Sequence, residues 1–466
     1  MTRFGKLGDF RVFSWRRPMS RKTITLEIDT EHEDLLRQYA GFLEEMKDLA
    51  ASAPDGTVLD ACEEAVIEKG REHQRRVLQQ AVQSRLDAAE KKGAPLRRCS
   101  CGQERENRGV SSREVFTCLG SLAVRRRWWG SRCPCSPGAY HADAALGLDG
   151  GLSPRLQRKA CRLAADVSFA TTAEHLRELL GVSPASETLR LYCERQAGRM
   201  AKWQGQETAS AETFRRAEGA HEFAVDAGKV NTREKGWRDL KIAVVQKRPA
   251  ADPATPAEWE SRVLPGATAR LMWAEISASR RFRRSWHARL KRLGLPSMAR
   301  LHVLGDGASW IWKAADRALS GCRQTLDIFH ASQHIADAGK RLFGEGTAEA
   351  TTFHEHGRDL LLKEGWTGIC RLIGEELERE DTPKRRQILD RLLNYFLGHM
   401  TRLDYAGRLA SGDAIGSGVV EGAAKTLGLR LKARGARWRH KNARSMAALI
   451  CCRQTDQWDL FWDRAA

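Results

Sequence analysis

The chain is 466 residues long, enough for roughly three domains that each bury a core, so it is not a small scaffold that needs staples. Its 78 Lys and Arg outnumber 59 Asp and Glu, a formal charge of +19, which points to a polyanion as partner, with nucleic acid first and a membrane surface as the rival. No apolar run reaches the roughly 18 residues of a membrane span, and Met1 to Lys22 is basic without the apolar stretch of a signal peptide, so a reducing cytoplasm is expected and the 12 cysteines are expected as thiols or metal ligands.

Residues 1–94 read as a basic arm and a helical region. Thr30 can cap a Glu- and Leu-rich helix over Glu31 to Leu49, and a second helix follows Thr57, with Leu59, Cys62, Ala65, Val66 and later Val77, Leu78, Ala81 and Val82 on one face. Such a pair can dock or dimerise, or simply extend the fold.

Residues 95–150 carry Cys99-Ser-Cys101 and Cys133-Pro-Cys135, which bracket two strand-like runs, Arg113 to Leu119 and Leu122 to Trp129, meeting at Gly120. Two knuckles around a hairpin build a zinc-ribbon-like module, in which four thiolates close a tetrahedral structural site. One intervening residue is tighter than the usual two, Cys118 is a further candidate, and reduced thiols without metal are the alternative. Beside them, Arg125, Arg126 and Arg127 with two tryptophans form a phosphate-contacting edge or a solvated charged strand.

Residues 151–215 open at Leu152-Ser-Pro154 and give helices over Arg155 to Val167, Thr171 to Leu180 and Ser186 to Arg199. Gly181-Val-Ser-Pro-Ala185 joins the last two in the pattern of a helix-turn-helix, whose recognition helix carries Glu187, Arg190, Arg195 and Gln196.

From residue 216 the pattern turns to strands. An apolar run, His221 to Lys229, ends at Asp226 and Gly228; Leu240 to Val245 and Arg270 to Ile276 follow, then a basic helix from Arg280 to Arg292. Leu301, Val303 and Leu304 form a buried strand that stops at Gly305-Asp306-Gly307, and Ile311, Ala314, Ala315, Ala318 and Leu319 recur at helical spacing after it. Thr325 to Phe329 reads as a fifth strand. Three strands, a helix, a strand, a helix and a strand is the order of a ribonuclease-H-like α/β core, in which the first and fourth strands lie side by side and bring Asp226 to Asp306. Residues 216–330 are its first part, 331–411 an inserted helical subdomain, and 412–466 a closing segment. There Ser417 caps a helix with Val420, Ala424, Leu427 and Leu431 facing the core and Glu421 one position round, at the sheet edge.

No acidic residue occurs from Gly422 to Thr455, whereas Arg430, Lys432, Arg434, Arg437, Arg439, Lys441 and Arg444 crowd together with Trp438 among them; backbone phosphate is the simplest partner. Phosphodiester cleavage needs an activated oxygen nucleophile and a stabilised leaving oxygen, which two divalent ions about 3.5 to 4 Å apart supply. Magnesium and manganese take hard oxygen ligands, and Asp226, Asp306 and Glu421 offer them, with Asp327 a rival. His330 and His334 lie one helical turn apart, a pair that more often packs or caps than binds metal and whose expected role here is contact with substrate.

Val-Asp-Ala-Gly (225 to 228), Leu-Gly-Asp-Gly-Ala-Ser-Trp-Ile-Trp (304 to 312), Leu-Asp-Ile-Phe-His (326 to 330), Ile-Gly-Ser-Gly-Val-Val-Glu-Gly-Ala (415 to 423) and Arg-Leu-Lys-Ala-Arg-Gly-Ala-Arg-Trp (430 to 438) together resemble the DDE transposases of bacterial insertion sequences, most closely the ISKra-type group. The likeness runs from about residue 95 onward; the single-residue cysteine knuckles depart from it. The resemblance implies Asp226, Asp306 and Glu421 as catalytic triad, magnesium (or manganese) as cofactor and the terminal inverted repeats of the protein's own element, with target DNA, as substrate. It also implies a homo-oligomer in the bacterial cytoplasm, at the nucleoid. The alternative is a catalytically silent DNA-binding protein or repressor derived from a transposase.

Overall fold

The computed structural model describes residues 25, 27–91, 98, 99, 101–130, 135, 138–295 and 297–463; the basic arm over 1 to 22 and Cys133 lie outside them. Two units divide the chain. One comprises the residues up to Ala160 together with Ala170–Ser186, the other Cys161–Phe169 with Glu187–Ala466.

The first unit holds α1 (Glu33–Ser52), α2 (Val58–Lys91), β1 (Glu106–Thr117), β2 (Gly120–Gly130), β3 (Gly138–Tyr140), α3 (His141–Ala145) and most of α4 (Pro154–Ala164) and α5 (Phe169–Leu180). β1, β2 and β3 make an antiparallel meander. The β1–β2 turn closes on Gly120, whose φ of 116° suits only a residue without Cβ. α2 covers this sheet. Leu86 packs with Val115, Leu122, Val124 and Ala142 in a small buried core, and Gln79 completes the edge of β2 by donating to the Ala123 carbonyl and accepting from its N–H, both at 2.8 Å. The apolar face of the hairpin expected over 95–150 is covered by the preceding helix.

The second unit continues with α6 (Ser186–Gln204), α7 (Ala209–Arg216), β4 (Ala220–Thr232), β5 (Gly236–Arg248), β6 (Ala269–Ile276), α8 (Ser279–Arg292), β7 (Leu301–Gly305), α9 (Ser309–Ala318) and β8 (Arg323–Leu326). After them come α10 (Ile328–Phe343), α11 (Ala348–Glu364), α12 (Trp366–Arg379), α13 (Pro383–Leu397), α14 (Tyr405–Ala410), α15 (Gly418–Leu431), α16 (His440–Arg453) and α17 (Gln457–Asp463). The helix-turn-helix expected over 151–215 thus falls across the division between the units.

The mixed sheet runs β6-β5-β4-β7-β8, antiparallel from β6 to β4 and parallel from β4 to β8. Side chains alternate across it. Phe223 and Trp273 stack on one face with Phe282 and Trp286 of α8, while Glu222 and Val244 line a cleft of about 500 Å³ with Gly418 and Gly422 of α15 on the other. The expected strand ending at Asp226 is longer. β4 runs on through Gly228 to Thr232 as a hairpin with β5, since Val230 and Thr232 keep the inward alternation, both buried. Asp226 consequently sits within β4, where the pairing with β7 stops. The helices of the expected inserted subdomain share the core of the sheet: Leu361, Ile369, Leu389, Phe396 and Tyr405 belong to one apolar core with Phe223, Val225 and Val303.

Candidate functional site

The parallel register fixes the centre. Val225 pairs with Gly305 and Gly305 with Leu326, so Asp226, Asp306 and Asp327 each follow the last paired residue on three adjacent strands, at spacings of roughly 4.8 Å per strand. Asp306 is held twice: its Oδ1 accepts from the Ala308 N–H at 2.9 Å, and its carbonyl accepts from the Trp312 indole at 2.9 Å. Asp226 accepts from the Ala227 N–H at 2.6 Å.

Burial above all holds the Asp226 carboxyl above its usual range. Repulsion by Asp306 acts the same way, while the Ala227 N–H, His330 and Lys241 oppose it. Lys241, almost fully buried, lies 4.0 Å from the Trp310 ring centre and 3.2 Å from Asp239. Because the unfolded Asp226 ionises at lower pH than the folded one, its protonated form lends stability below the unfolded pKa that is lost as pH rises through the folded value. Asp226→Asn is therefore expected to raise the unfolding temperature near neutral pH without divalent cations, and to leave it unchanged near pH 3. Thermal unfolding at both values checks this; an equal gain at both would refute it.

Asp327 stands at the tip of its strand, as the sequence suggested. β8 ends at Leu326, and Asp327 caps α10, its Oδ1 accepting from the His330 N–H at 2.9 Å. Its other oxygen accepts from the N–H of Ser417, the residue preceding α15, and the side chain is fully buried. Asp327 thereby pins the helix that carries Glu421. Ser417 occupies the cap position as expected, but its hydroxyl donates to Glu421 Oε1 at 3.2 Å rather than accepting from the backbone. Val420, Leu427 and Leu431 point inward, and α15 packs on β4 and β5.

Glu421 lies 3.9 Å from His330 Nε2. Ligand atoms of Asp327, His330 and Glu421 fall within 4.8 Å of one another, a group able to hold a metal ion; among the described residues Asp226, Asp306 and Glu421 do not form such a group together. The sequence suggests only a substrate-contacting role for His330, whereas a ring nitrogen of it lies within 4.8 Å of carboxylate oxygens of both Asp327 and Glu421.

A second layer went unseen in the sequence. The Tyr395 ring stacks on His334 at 3.6 Å, and its hydroxyl lies only 2.5 Å from where a Cβ on Gly307 would stand, so glycine is required there. Burial, with Asp306 and Asp327 adding, pushes the Tyr395 hydroxyl well up, keeping it a neutral donor. Burial and Arg402 push His399 down to about 4, against a hydrogen bond to the Gly307 backbone.

In the first unit, sulfurs of Cys99, Cys101 and Cys135 lie within 4.8 Å of one another and could hold a metal. Cys118 is not in this group.

Of the expected phosphate contacts, several have ion-pair partners within the chain. Arg125 pairs with Asp87 at 2.9 Å, Arg126 with Asp143 at 2.9 Å and Arg127 with Glu90 at 3.0 Å. Arg190 is clamped by Glu187 and Glu194, and Gln196 is buried. Arg430 is 3 % exposed, donates to the Ala164 carbonyl at 2.7 Å and stacks between Phe169 and Trp438, its pKa pushed down to about 10 by burial. Trp438 is buried and donates to the Leu431 carbonyl. Arg430 and Trp438 are thus interior residues, not DNA contacts, because a guanidinium can be stacked and desolvated against aromatics. Lys432, Arg434, Arg437, Arg439 and Lys441 remain exposed. Arg190→Gln is accordingly expected to change DNA affinity less than twofold, since it removes an already neutralised charge; a drop beyond about tenfold in a binding titration would contradict this.

No described helix is long and apolar enough to cross a membrane. Comparison with protein-family models found no match to this chain, and comparison with curated proteins found none either.

Proposed function

We propose that the chain is a DNA transposase of the DDE type, with a ribonuclease-H-like core, which cleaves phosphodiester bonds at the ends of its insertion sequence and joins them to target DNA. The observation that carries this reading is the register that sets Asp226 and Asp306 side by side on parallel strands, with Glu421 on a helix packed over the first of them. The sheet supports the core assignment: three successive antiparallel strands, then helix-linked parallel ones, the first beside the fourth.

Asp226, Asp306 and Glu421 are hard oxygen donors and suit magnesium or manganese; His330 adds a nitrogen donor that manganese accepts. When bound, such ions supply an activated oxygen nucleophile and a stabilised leaving oxygen. The chain's own part is positioning. Ala308 and Trp312 orient Asp306, Asp327 latches α15, and the neutral Tyr395 hydroxyl stands beside the reacting centre. Cys99, Cys101 and Cys135 suit a structural zinc; Cys133, the remaining cysteine of the expected knuckles, lies outside the described residues. Double-stranded DNA is the partner and a homo-oligomer the working form, at the bacterial nucleoid.

One observation favours a second reading, a catalytically silent DNA-binding protein: Glu421 groups with Asp327 and His330 rather than with the two aspartates. Duplex carrying the element's ends, incubated with magnesium or manganese, separates the two. Nicked and joined products support the transposase. Binding with no cleavage in either metal leaves only the silent protein.

A further inference from the structure

Beyond the carboxylates, the second unit carries an open groove of about 710 Å³ between α6, α16 and the edge strand β6. Arg195, Arg199 and Lys202 recur along one side of α6, at spacings of four and three that place them on one helical face. Lys441 and Arg444 face them from the first turns of α16, and all five are exposed. Two carboxylates also line the groove, but Glu194 is spent on Arg190 at 2.6 Å, and Glu275 stands 3.9 Å from Arg289. Six Lys or Arg side chains, Arg289 included, thus line the groove against two Glu, a formal excess of four positive charges. α16 also continues, through His440, the exposed stretch of Lys432, Arg434, Arg437 and Arg439.

The groove is also in line with the candidate catalytic centre. Ala274 in its floor pairs with Ile242, and Ile242 pairs with Asp226, so the floor lies level with Asp226 and two strands across, on the order of 10 Å. Backbone phosphates follow one another at about 3.4 Å of rise per strand in B-DNA, so that offset corresponds to about three nucleotides.

We propose that this groove grips the sugar-phosphate backbone of a nucleic-acid strand, independently of base sequence, about three nucleotides from the phosphate presented to Asp226. The grip depends only on charge and shape. Its offset from the cleaved bond rests on the transposase reading.

The test is a salt titration of the full-length protein's affinity for a duplex of arbitrary sequence. Each lost phosphate contact should flatten the plot of log affinity against log salt by about 0.9. Lys441→Gln with Arg444→Gln is expected to reduce the slope by about 2, and adding Arg199→Gln and Lys202→Gln by about 4 in all, with affinity near physiological salt down at least about 100-fold. The comparison variant, Arg281→Gln with Arg284→Gln, removes two exposed α8 charges that do not line the groove and is expected to reduce the slope by less than 1. All these side chains are exposed, and an unchanged unfolding temperature certifies the fold. The proposal is overturned if the groove variants keep the wild-type slope, if the comparison variant loses as much, or if the wild type binds no duplex. Binding through the groove without cleavage would sustain it while removing the transposase reading.

Discussion

Asp306→Asn is expected to lower cleavage and joining of end-bearing DNA by on the order of 10³-fold or more, with DNA affinity within about threefold of wild type. The substitution is conservative everywhere except in charge. The amide oxygen can still accept from the Ala308 N–H, and the Trp312 indole still fixes the backbone carbonyl, so the turn after β7 keeps its shape. What disappears is the anionic oxygen donor beside Asp226, and with it the charge that a pair of divalent cations requires. Relief of the repulsion on Asp226 should bring that carboxyl's pKa down toward the ordinary range. A gel assay of nicked and joined products, run beside a binding titration, reads both quantities. Persistent cleavage by the variant would remove Asp306 from the chemistry.

Asp327→Ala is expected to cost about 1.5–5 kcal/mol of stability and to abolish activity. The side chain is fully buried, and each of its oxygens receives a backbone N–H, one at the start of α10 and one at the start of α15. Removing it orphans a buried donor at Ser417, at about 1–3 kcal/mol, and a half-buried one at the start of α10, where a lost helix cap costs about 0.5–2 kcal/mol. The segment is otherwise well tied: the Asp327 N–H donates to the Gly305 carbonyl at 2.8 Å, and the Tyr405 hydroxyl to the Leu326 carbonyl at 3.0 Å. The loss should therefore be felt where those ties do not reach, at Ser417 and hence at Glu421. Asp327→Asn keeps one acceptor oxygen but turns an NH2 toward the other donor, and is expected to fall between alanine and wild type. Denaturant unfolding measures the cost; an alanine variant within about 0.5 kcal/mol of wild type would show that the latch contributes little.

The sheet was readable because its signals are local. Leu301, Val303 and Leu304 form an apolar run that breaks at a glycine, and the succession of strands and helices implied which of them pair. The length of β4 was not readable, since Gly228 suggests a stop and only pairing with β5 carries the strand past it. That Asp327 also latches α15 was not readable, because its second partner, Ser417, is 90 residues away and invisible to any local pattern. Tyr395 sits in an apolar stripe of α13, and nothing along the chain says that its hydroxyl lies over Gly307. Density of arginine likewise does not distinguish inward from outward: Arg430 turns in because Phe169 and Trp438 give its guanidinium a place to stack, whereas Arg434 and Arg437 remain exposed. The alternative set of Asp327, His330 and Glu421 arises the same way, from the cap that starts α10 beneath the start of α15.

The most direct measurement is a crystal structure grown with manganese, its ions located by anomalous scattering. The account predicts two ions, held between Asp226, Asp306 and Glu421, with the Glu421 carboxylate turned from His330 toward the aspartates. A single ion seated on Asp327, His330 and Glu421, with Asp226 and Asp306 bare, would contradict it.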